Sequence, residues 1–244
     1  MTTANPVQQT ELIRNLRVIV ALCKGGSTAL IHSLAHAPAV TCYLQTVKSG
    51  QRVHGRPDYG VYYRVHEGVV LSKETIGHST VADCTLHVFP SDDAIRATAP
   101  VFLLRDPVDT RAAWARAGWG SLEFFKLAYG HTLDLHDRAQ RLAPGTAAIH
   151  YEEFGREAEA AFRRLCGLLG IDYCDEMLHW RYRFPEESPV IWSEDVQRDF
   201  DRGQSDSARR AAGFTYRSTE YALPAAEVHE IDRLFRARYE ALAS

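Results

Sequence analysis

The chain has 244 residues, of which 45% are hydrophobic and 24% are charged, and its formal net charge is −3. These proportions are those of a globular protein with a sizeable core, and the length favours one large domain. The small net charge gives no electrostatic reason to expect nucleic acid or an anionic membrane as a partner, although local charge can still hold a small anion.

The five cysteines are scattered along the chain and form no C-x-x-C pair. An odd number at irregular spacing indicates reduced thiols rather than a disulfide framework or a zinc site. Residues 1–11 lack the basic and apolar regions of a signal peptide, and the apolar run at 18–23 is too short to span a bilayer. We therefore expect a cytoplasmic protein.

The first elements along the chain are a strand and a helix. Residues 17–23 form a short β-branched run that stops at a Gly-Gly pair, which predicts a buried strand. The hydrophobic period changes at Ser27, which predicts a helix that ends before Pro38. Residues 60–76 contain two strand-like pieces separated by a turn at Glu67-Gly68.

The second half of the chain continues the alternation of strands and helices. The pattern predicts a strand over 100–107, helices over 120–142 and 156–169, and a short strand with a turn over 147–154. A further helix begins at Pro107, with Asp106 as its cap. Residues 171–222 are irregular and rich in Trp, Tyr and Arg, and a final helix is predicted from Pro224.

Strands that alternate with helices imply a parallel sheet with helices on both faces. We therefore predict an α/β fold in a single domain, residues 1–244, with a core over 17–170 and an irregular segment plus C-terminal helix over 171–244. Ligands of such sheets bind beyond the carboxyl ends of the strands. Lys24 and Arg105 both stand at such ends.

The turn after the first strand has the composition of an anion site. Gly25 and Gly26 allow close approach to the backbone N–H groups that start a helix, where the dipole adds positive charge. Ser27 and Thr28 add hydroxyl donors, and Lys24 adds a full charge. The alternative is a plain strand-to-helix turn, which is common in α/β proteins.

Two familiar nucleotide motifs are absent from this turn. A Walker A loop places its lysine after the last glycine, whereas Lys24 precedes both glycines and no earlier glycine stands at the required spacing. A Rossmann G-x-G-x-x-G is also missing. An ATP-dependent kinase and a dinucleotide oxidoreductase are therefore both less favoured.

The segment CKGGST, residues 23–28, resembles the 5′-phosphosulfate loop of the sulfotransferases, Pro-Lys-Ser-Gly-Thr-Thr. Lys24 takes the place of the family's lysine, Gly26 that of its glycine, and Ser27 with Thr28 that of its paired threonines. These enzymes use 3′-phosphoadenosine 5′-phosphosulfate (PAPS) as sulfonyl donor, so the resemblance implies that this loop holds the 5′-phosphosulfate. Cys23 replaces the family's proline.

LLRDPVDTRAAW, residues 103–114, resembles the family's 3′-phosphate strand and helix, R-[DN]-P-x-D-x-x-x-S. Arg105 matches the arginine that clamps the 3′-phosphate, a task that suits a bidentate guanidinium; the alternative is a structural salt bridge at a strand end. The family's serine falls on Ala113, and Thr110 or Arg111 are the candidates to replace its hydroxyl.

Two weaker similarities complete the donor site. IHYEEF, residues 149–154, is similar to the family's [IV]-x-Y-E-D-[LF] segment, which implies that Tyr151 lies near the adenine. In relatives a basic, glycine-containing loop near the C-terminus returns to the 3′-phosphate, which implies a role for Arg209, Arg210 or Gly213. This chain lacks a clear R-K-G there, and a solvated basic face is the alternative.

Sulfonyl transfer needs a base for the acceptor, and LSKETIGHST, residues 71–80, offers three candidates. The segment resembles a K-[DE]-x-x-H segment of one bacterial branch of the family, with one extra residue before the histidine. Because imidazole titrates near neutral pH, His78 is the first choice of base and Glu74 the second. Lys73 is a candidate to contact the transferring sulfonyl group. The alternative is a solvent-facing polar stretch.

The resemblance as a whole implies a P-loop-like sulfotransferase fold and transfer of a sulfonyl group from PAPS to a hydroxyl or amine of a small-molecule metabolite. No metal is expected, because cationic side chains and backbone donors can neutralise the departing phosphate. Two alternatives stay open: a P-loop kinase or phosphotransferase, and a non-catalytic nucleotide-binding module with a decayed site. The second is suggested by Ala113 and by Ala29, which stands where many members have a tryptophan.

Overall fold

A computed structural model describes residues 15–55, 68–182, 187–199 and 212–242. The first of the two strand-like pieces expected in the 60–76 segment lies outside the described residues, and so do Arg209 and Arg210. No helix in the described part of the chain is long and apolar enough to cross a bilayer.

The centre of the protein is a six-stranded sheet in which every pair of neighbouring strands is parallel. In spatial order the strands run β5-β4-β1-β3-β2-β6. Their bounds are β1 Leu16–Leu22, β2 Val40–Leu44, β3 Val69–Ile76, β4 Val101–Leu104, β5 Ala147–His150 and β6 Ile191–Trp192. The α/β fold with a parallel sheet flanked by helices is therefore confirmed.

Helices follow most of the strands. They are α1 Ser27–Leu34, α2 Thr46–His54, α3 Val81–Cys84, α4 Asp92–Thr98, α5 Pro107–Arg116, α6 Leu122–Leu142, α7 Glu153–Arg156, α8 Ala158–Leu169, α9 Glu194–Asp199, α10 Ala225–Ile231 and α11 Ala237–Ala241. A π-helical turn, Asp232–Arg236, joins α10 to α11, and a 3-10 turn spans Asp175–Met177.

Several helix boundaries follow from local chemistry. The Asp106 carboxylate accepts hydrogen bonds from the Val108 and Asp109 N–H groups at 2.8 and 3.0 Å, which confirms it as the cap of α5. Ser121 caps α6 in the same way. Helix α8 ends at Gly170, whose φ of 66° lies in the left-handed region that glycine adopts most readily.

The core consists of two apolar layers, one on each face of the sheet. Because successive strand residues point to opposite faces, Val18 and Val20 of β1 belong to the layer under α6, whereas Ile19 and Ala21 belong to the layer under α1 and α8. Both faces of the central strand are therefore dry, which explains its continuous apolar sequence.

The strand order places a crevice at the carboxyl end of β1. The chain proceeds from β1 to β2 and β3 on one side and to β4 and β5 on the other. The helices that follow β1 and β4 pack on opposite faces, since Leu30 of α1 lies in one apolar layer and Trp114 of α5 in the other. Such a switch point is where open α/β sheets bind ligands.

Candidate active site

The loop after β1 needs both of its glycines. A Cβ at Gly25 would lie 2.9 Å from the Leu22 carbonyl oxygen, which already accepts a hydrogen bond from the Gly25 N–H at 3.0 Å. Gly26 has a φ of 85°, and a Cβ there would lie 2.1 Å from the Tyr151 ring. The loop is thus pressed against the residue after β5, and only glycine fits.

The start of α1 is open to an anion. Gly26 is the N-cap and has no side chain that could accept a hydrogen bond from the first amides of the helix. Ser27 and Thr28 occupy the first two helical positions. Unsatisfied amides at a helix start, together with the helix dipole, favour a negatively charged group.

Lys24 stands at the mouth of this loop in a left-handed conformation, with a φ of 65°. Its Nζ lies 4.3 Å from the centroid of the Trp119 ring. Burial lowers the pKa of Lys24; the neighbouring Cys23 opposes this shift, and the charge of Arg116 adds to it. A half-buried ammonium beside open amides is suited to neutralising an anion.

Arg105, one residue beyond β4, reaches across to the loop after β1. Its side chain is only 7% exposed. One terminal nitrogen donates to the Lys24 carbonyl at 3.1 Å, and the other donates to the Arg217 carbonyl at 3.0 Å and the Thr219 hydroxyl at 2.9 Å. Its Nε–H has no partner among the described residues. The ends of β1 and β4 are therefore in direct contact through this guanidinium.

The C-terminal helices hold the segment around Arg105 from behind. The Asp106 N–H donates to Glu152 at 3.0 Å, and the other oxygen of Glu152 accepts from the Tyr239 hydroxyl at 2.7 Å. Arg236, in the π-helical turn, forms an ion pair with the Asp106 carboxylate. These contacts fix the position of the strand end that carries Arg105.

Tyr151 lies between Arg105 and the C-terminal segment and is 4% exposed. Its hydroxyl accepts a hydrogen bond from the Arg217 N–H at 3.2 Å, and its ring centroid lies 4.9 Å from that of Tyr216. The Arg105 Cζ lies 5.1 Å from the same ring. Burial raises the pKa of Tyr151, so the hydroxyl stays neutral. The arginine thus lies beside one buried aromatic ring.

The contacts of Gly213 are with Leu178 and His179 and not with Arg105 or Tyr151. It forms an antiparallel bridge with His179, and a Cβ there would lie 2.0 Å from the Leu178 carbonyl oxygen. The residues that return to Arg105 are Arg217 and Thr219, which the sequence did not single out. Arg217 and Thr219 thus bring the described C-terminal segment to the predicted region, while Arg209 and Arg210 lie outside the described residues.

The two candidate substitutes for the family's serine at Ala113 both form hydrogen bonds, although one terminal nitrogen of Arg111 has no partner among the described residues. The Thr110 hydroxyl donates to the Asp106 carbonyl of its own helix at 2.8 Å. The Arg111 Nε–H donates to Glu227 of α10 at 3.0 Å. The Arg111 side chain therefore ties α5 to α10, whereas the Thr110 hydroxyl bonds within α5.

Glu74 is fully buried on β3 and caps a helix. Its carboxylate accepts from the Val47 and Lys48 N–H groups at 3.0 and 3.1 Å and from the Ser72 hydroxyl at 3.0 Å. Burial raises the pKa of Glu74, and these hydrogen bonds oppose the shift. A carboxylate that accepts three hydrogen bonds at the start of α2 is a poor candidate for moving a proton.

Lys73 points to the opposite face of the sheet from Glu74, because neighbouring strand residues alternate. It is completely buried, and its Nζ has no hydrogen-bond partner among the described residues. Burial lowers the pKa of Lys73 to about 8. The pKa of the nearby His32 lies well below its usual range because of burial and the charge of Lys73. Lys73 thus lies in the interior of the sheet.

His32, on α1, does not belong to a metal centre in the part of the chain that the structure describes. No group of three or more His, Cys, Asp or Glu side chains that could hold a metal ion occurs there. The His32 ring instead shares a hydrogen bond of 2.6 Å with the Ser188 hydroxyl.

His78 stands two residues after β3 and is partly exposed. The preceding Gly77 has a φ of 97°, and a Cβ there would lie 2.5 Å from the Trp114 ring, so the turn requires glycine. The His78 Nδ1 and the Ser79 hydroxyl share a hydrogen bond of 2.7 Å. The His78 ring centroid lies 4.7 Å from that of Trp119. Trp119 therefore contacts both the lysine of the loop and the candidate base.

Lys48 links the loop that carries Lys24 to the turn that carries His78. Its Nζ donates to the Gly77 carbonyl at 2.6 Å and to the Cys23 sulfur at 3.8 Å, and it lies 3.7 Å from the Asp83 carboxylate. Burial alone would raise the pKa of Asp83, but the charges of Lys48 and Arg52 outweigh it and keep that pKa low. A charged Lys48 is therefore well compensated.

Lys48, Trp119, Arg217 and Thr219 all escaped the sequence interpretation. Trp119 carried a local signal, since it stands between two glycines, Gly118 and Gly120. Glycines so close together indicate a turn or loop, and both have positive φ in the structure.

No family model and no curated protein matches the chain. The fold is similar to that of solved sulfotransferases. A mouse sulfotransferase, SULT7A1, solved in complex with PAP, aligns with a TM-score of 0.52 and 12% identity over 95% of this chain and 90% of its own. The sulfotransferase domain from the curacin biosynthetic pathway aligns with a TM-score of 0.46 and 11% identity over 89% of this chain and 96% of its own.

Proposed function

We propose that the protein is a PAPS-dependent sulfotransferase that acts on a hydroxyl or amine of a small-molecule acceptor in the cytoplasm. The observation that carries this proposal is the hydrogen bond from the Arg105 guanidinium to the Lys24 carbonyl. This bond joins the ends of two neighbouring strands, and it supports the proposal that one nucleotide contacts a phosphate site at each of them.

In this proposal the donor lies across the ends of β1 and β4. The 5′-phosphosulfate binds the open amides at the start of α1, with Gly25 and Gly26 giving access and Ser27 and Thr28 donating hydroxyl hydrogen bonds. Lys24 adds the charge. All of these groups belong to one short stretch of chain, so a single strand end and helix start supply the whole 5′ half of the site.

The 3′-phosphate binds Arg105, whose buried Nε–H is ready to donate. The Arg217 carbonyl and the Thr219 hydroxyl stay bonded to one terminal nitrogen of Arg105 and orient the guanidinium toward this phosphate. Arg217 is exposed and stands beside Arg105, so its guanidinium can also reach this phosphate. Tyr151 forms the wall next to the adenine.

The transfer step forms a bond from the acceptor oxygen or nitrogen to sulfur while the bond from sulfur to the 5′-phosphate oxygen breaks. The electron pair of the broken bond stays on the phosphate, and Lys24 with the α1 amides stabilises that charge. His78 takes the acceptor proton. Glu74 is less suited, because its carboxylate caps α2. Cations and amides suffice for this charge, and we propose no metal.

Calorimetry with adenosine 3′,5′-bisphosphate (PAP) and with ATP tests the donor class. We expect PAP to bind and ATP to bind at least tenfold more weakly, because a 3′-phosphate on Arg105 adds a charge-assisted contact that ATP lacks. An acceptor screen with PAPS then tests transfer. Tight binding of ATP with magnesium-dependent turnover, and no response to PAP, would instead support the phosphotransferase alternative. PAP binding without transfer to any acceptor would favour the non-catalytic module.

A further inference from the structure

We infer that Trp119 is a positioning residue that directs Lys24 toward the 5′-phosphate of the donor. The inference rests on the proposed function, because it assigns a role at the same site. It starts from two contacts of one half-buried indole: the Lys24 Nζ lies 4.3 Å from its centroid, and the His78 ring lies 4.7 Å away.

The backbone around Lys24 is fixed, so only its side chain can choose a direction. The Cys23 carbonyl accepts a hydrogen bond from the Trp114 indole N–H at 2.7 Å, and the Lys24 carbonyl accepts one from Arg105 at 3.1 Å. A lysine side chain has many rotamers, and those that lead away from the crevice compete with the productive one. Some neighbouring group must select among them.

Several contacts hold the Trp119 indole where it can favour one rotamer of Lys24. The backbone N–H of Trp119 donates to the Trp114 backbone carbonyl at 3.0 Å, and its ring makes an edge contact with the Trp114 ring, with the centroids 6.4 Å apart. Gly118 and Gly120, with φ of 68° and 55°, let the chain turn sharply on both sides of it. Trp114, completely buried under the loop, therefore anchors both the backbone before Lys24 and the indole beside its ammonium.

The indole face attracts the ammonium without using its hydrogen-bond donors. A cation over a tryptophan face is held by the ring quadrupole, and such a contact does not itself occupy the N–H donors with which a lysine binds phosphate oxygens. Trp119 can thus hold Lys24 beside the start of α1 and next to His78 before the donor arrives. The donor then gains its charge contact without paying for an immobilised side chain.

A double-mutant cycle with two ligands tests this role. PAP carries the 5′-phosphate, and adenosine 3′-phosphate lacks it. We expect Trp119→Leu to weaken PAP binding about 3- to 10-fold, the effect of releasing one ordered side chain, and to leave adenosine 3′-phosphate unchanged. In a Lys24→Met background, Trp119→Leu changes PAP affinity less than about twofold, because the directed ammonium is already gone.

Two control variants separate positioning from packing. Trp119→Phe keeps an aromatic face and retains PAP affinity within about threefold of the original. Trp192→Leu, at the edge strand, removes another indole and leaves PAP affinity unchanged. The inference would be overturned if Trp119→Leu lost equal affinity for both ligands or bound PAP more tightly. It would also be overturned if Trp119→Leu weakened PAP binding as much in the Lys24→Met background as in the original protein.

Fluorescence of the unsubstituted protein gives a second measurement in case Trp119→Leu fails to fold. Addition of PAP changes the environment of the ammonium over the indole, so we expect an emission change that adenosine 3′-phosphate does not cause and that Trp119→Phe lacks. The same emission change in Trp119→Phe would refute the role. If the unsubstituted protein binds no PAP at all, the proposed function itself fails. If it binds PAP but the effects of Trp119→Leu and Lys24→Met on PAP affinity are additive, only the role of Trp119 is overturned.

Discussion

The two halves of the candidate site are built in different ways. Around Arg105 the guanidinium itself, Tyr151 and Tyr239 are buried, and the segment is bonded to distant parts of the chain, including the C-terminal helices through Glu152 and Arg236. Around Lys24 and His78 the side chains are partly exposed, and the aromatic ring of Trp119 contacts both of them. The rigid half suits recognition of a constant donor, and the open half suits chemistry and a variable acceptor.

The sharpest test of this division is His78→Ala. We expect the rate of sulfonyl transfer to fall by about two to four orders of magnitude, the range for loss of a general base, with PAP affinity unchanged. The rate is measured with PAPS and an acceptor from the screen, and the affinity by calorimetry. His87→Ala is the control, because His87 is an exposed histidine on the same segment. An unchanged rate would move the base elsewhere.

For Arg105→Ala we expect a loss of PAP affinity, in contrast to His78→Ala, which should affect only the rate. Loss of a bidentate, charge-assisted contact should weaken PAP binding by about 100-fold or more. Calorimetry measures the affinity, and a thermal melt checks the fold because Arg105 also bonds to the Lys24 carbonyl. Arg138→Ala, an exposed arginine paired with Asp92, should bind PAP normally. If Arg105→Ala binds PAP as well as Arg138→Ala does, the 3′-phosphate site is misplaced.

A substitution at Lys73 tests whether the interior of β3 takes part in sulfonyl transfer. Its pKa is lowered to about 8 from a usual value near 10.5, so between these two values the unfolded chain binds more protons, and stability rises as the pH rises. Below pH 8 the buried charge is a constant cost. We expect Lys73→Met to raise the free energy of unfolding at pH 7 by roughly 1–3 kcal/mol, as measured by denaturant titration.

The gain from Lys73→Met should shrink between pH 8 and pH 10, where the lysine of the unsubstituted protein loses its proton without the variant changing. Lys73→Met could instead lower stability and abolish transfer while PAP affinity stays intact. In that case Lys73 acts on the sulfonyl group, and the catalytic part of the site includes the interior of β3.

The smallest effect is expected at Thr219. Its hydroxyl accepts a hydrogen bond from Arg105 at 2.9 Å, so Thr219→Ala frees the guanidinium and should weaken PAP binding only about 3- to 10-fold. Ser218→Ala removes a neighbouring exposed hydroxyl and serves as the matched control in the same calorimetric measurement. Tighter binding in Thr219→Ala would show that Thr219 competes with the 3′-phosphate instead of orienting the arginine.

The sequence predicted those parts of the molecule that local chemistry determines. The segment from β1 to α1 contains a continuous apolar strand, two glycines and a change in the period of the hydrophobic residues. Its structure is therefore predictable from consecutive residues alone. The cap at Asp106 is local in the same way. The meeting of Lys24 and Arg105 was predictable from the rule that parallel strands end at one edge.

Elements that depend on tertiary contacts were missed. Helix α2, TVKSGQRVH, contains a central glycine and two β-branched valines, which are weak helix formers. It is stabilised by the Glu74 carboxylate from β3, a residue that the sequence interpretation reserved for catalysis. In the same way, the contact of Trp119 with Lys24 depends on the packing of Trp114, which no pattern of neighbouring letters reveals.

The attachment of the C-terminal helices to the end of β4 has a consequence for the order of folding during synthesis. Tyr239 and Arg236 follow all the described strands of the sheet in the chain, yet they hold the segment that carries Arg105 through Glu152 and Asp106. The strands therefore emerge from the ribosome before the contacts that support this arginine can form. Arg105 gains its full support only after the helices that follow the sheet have been made.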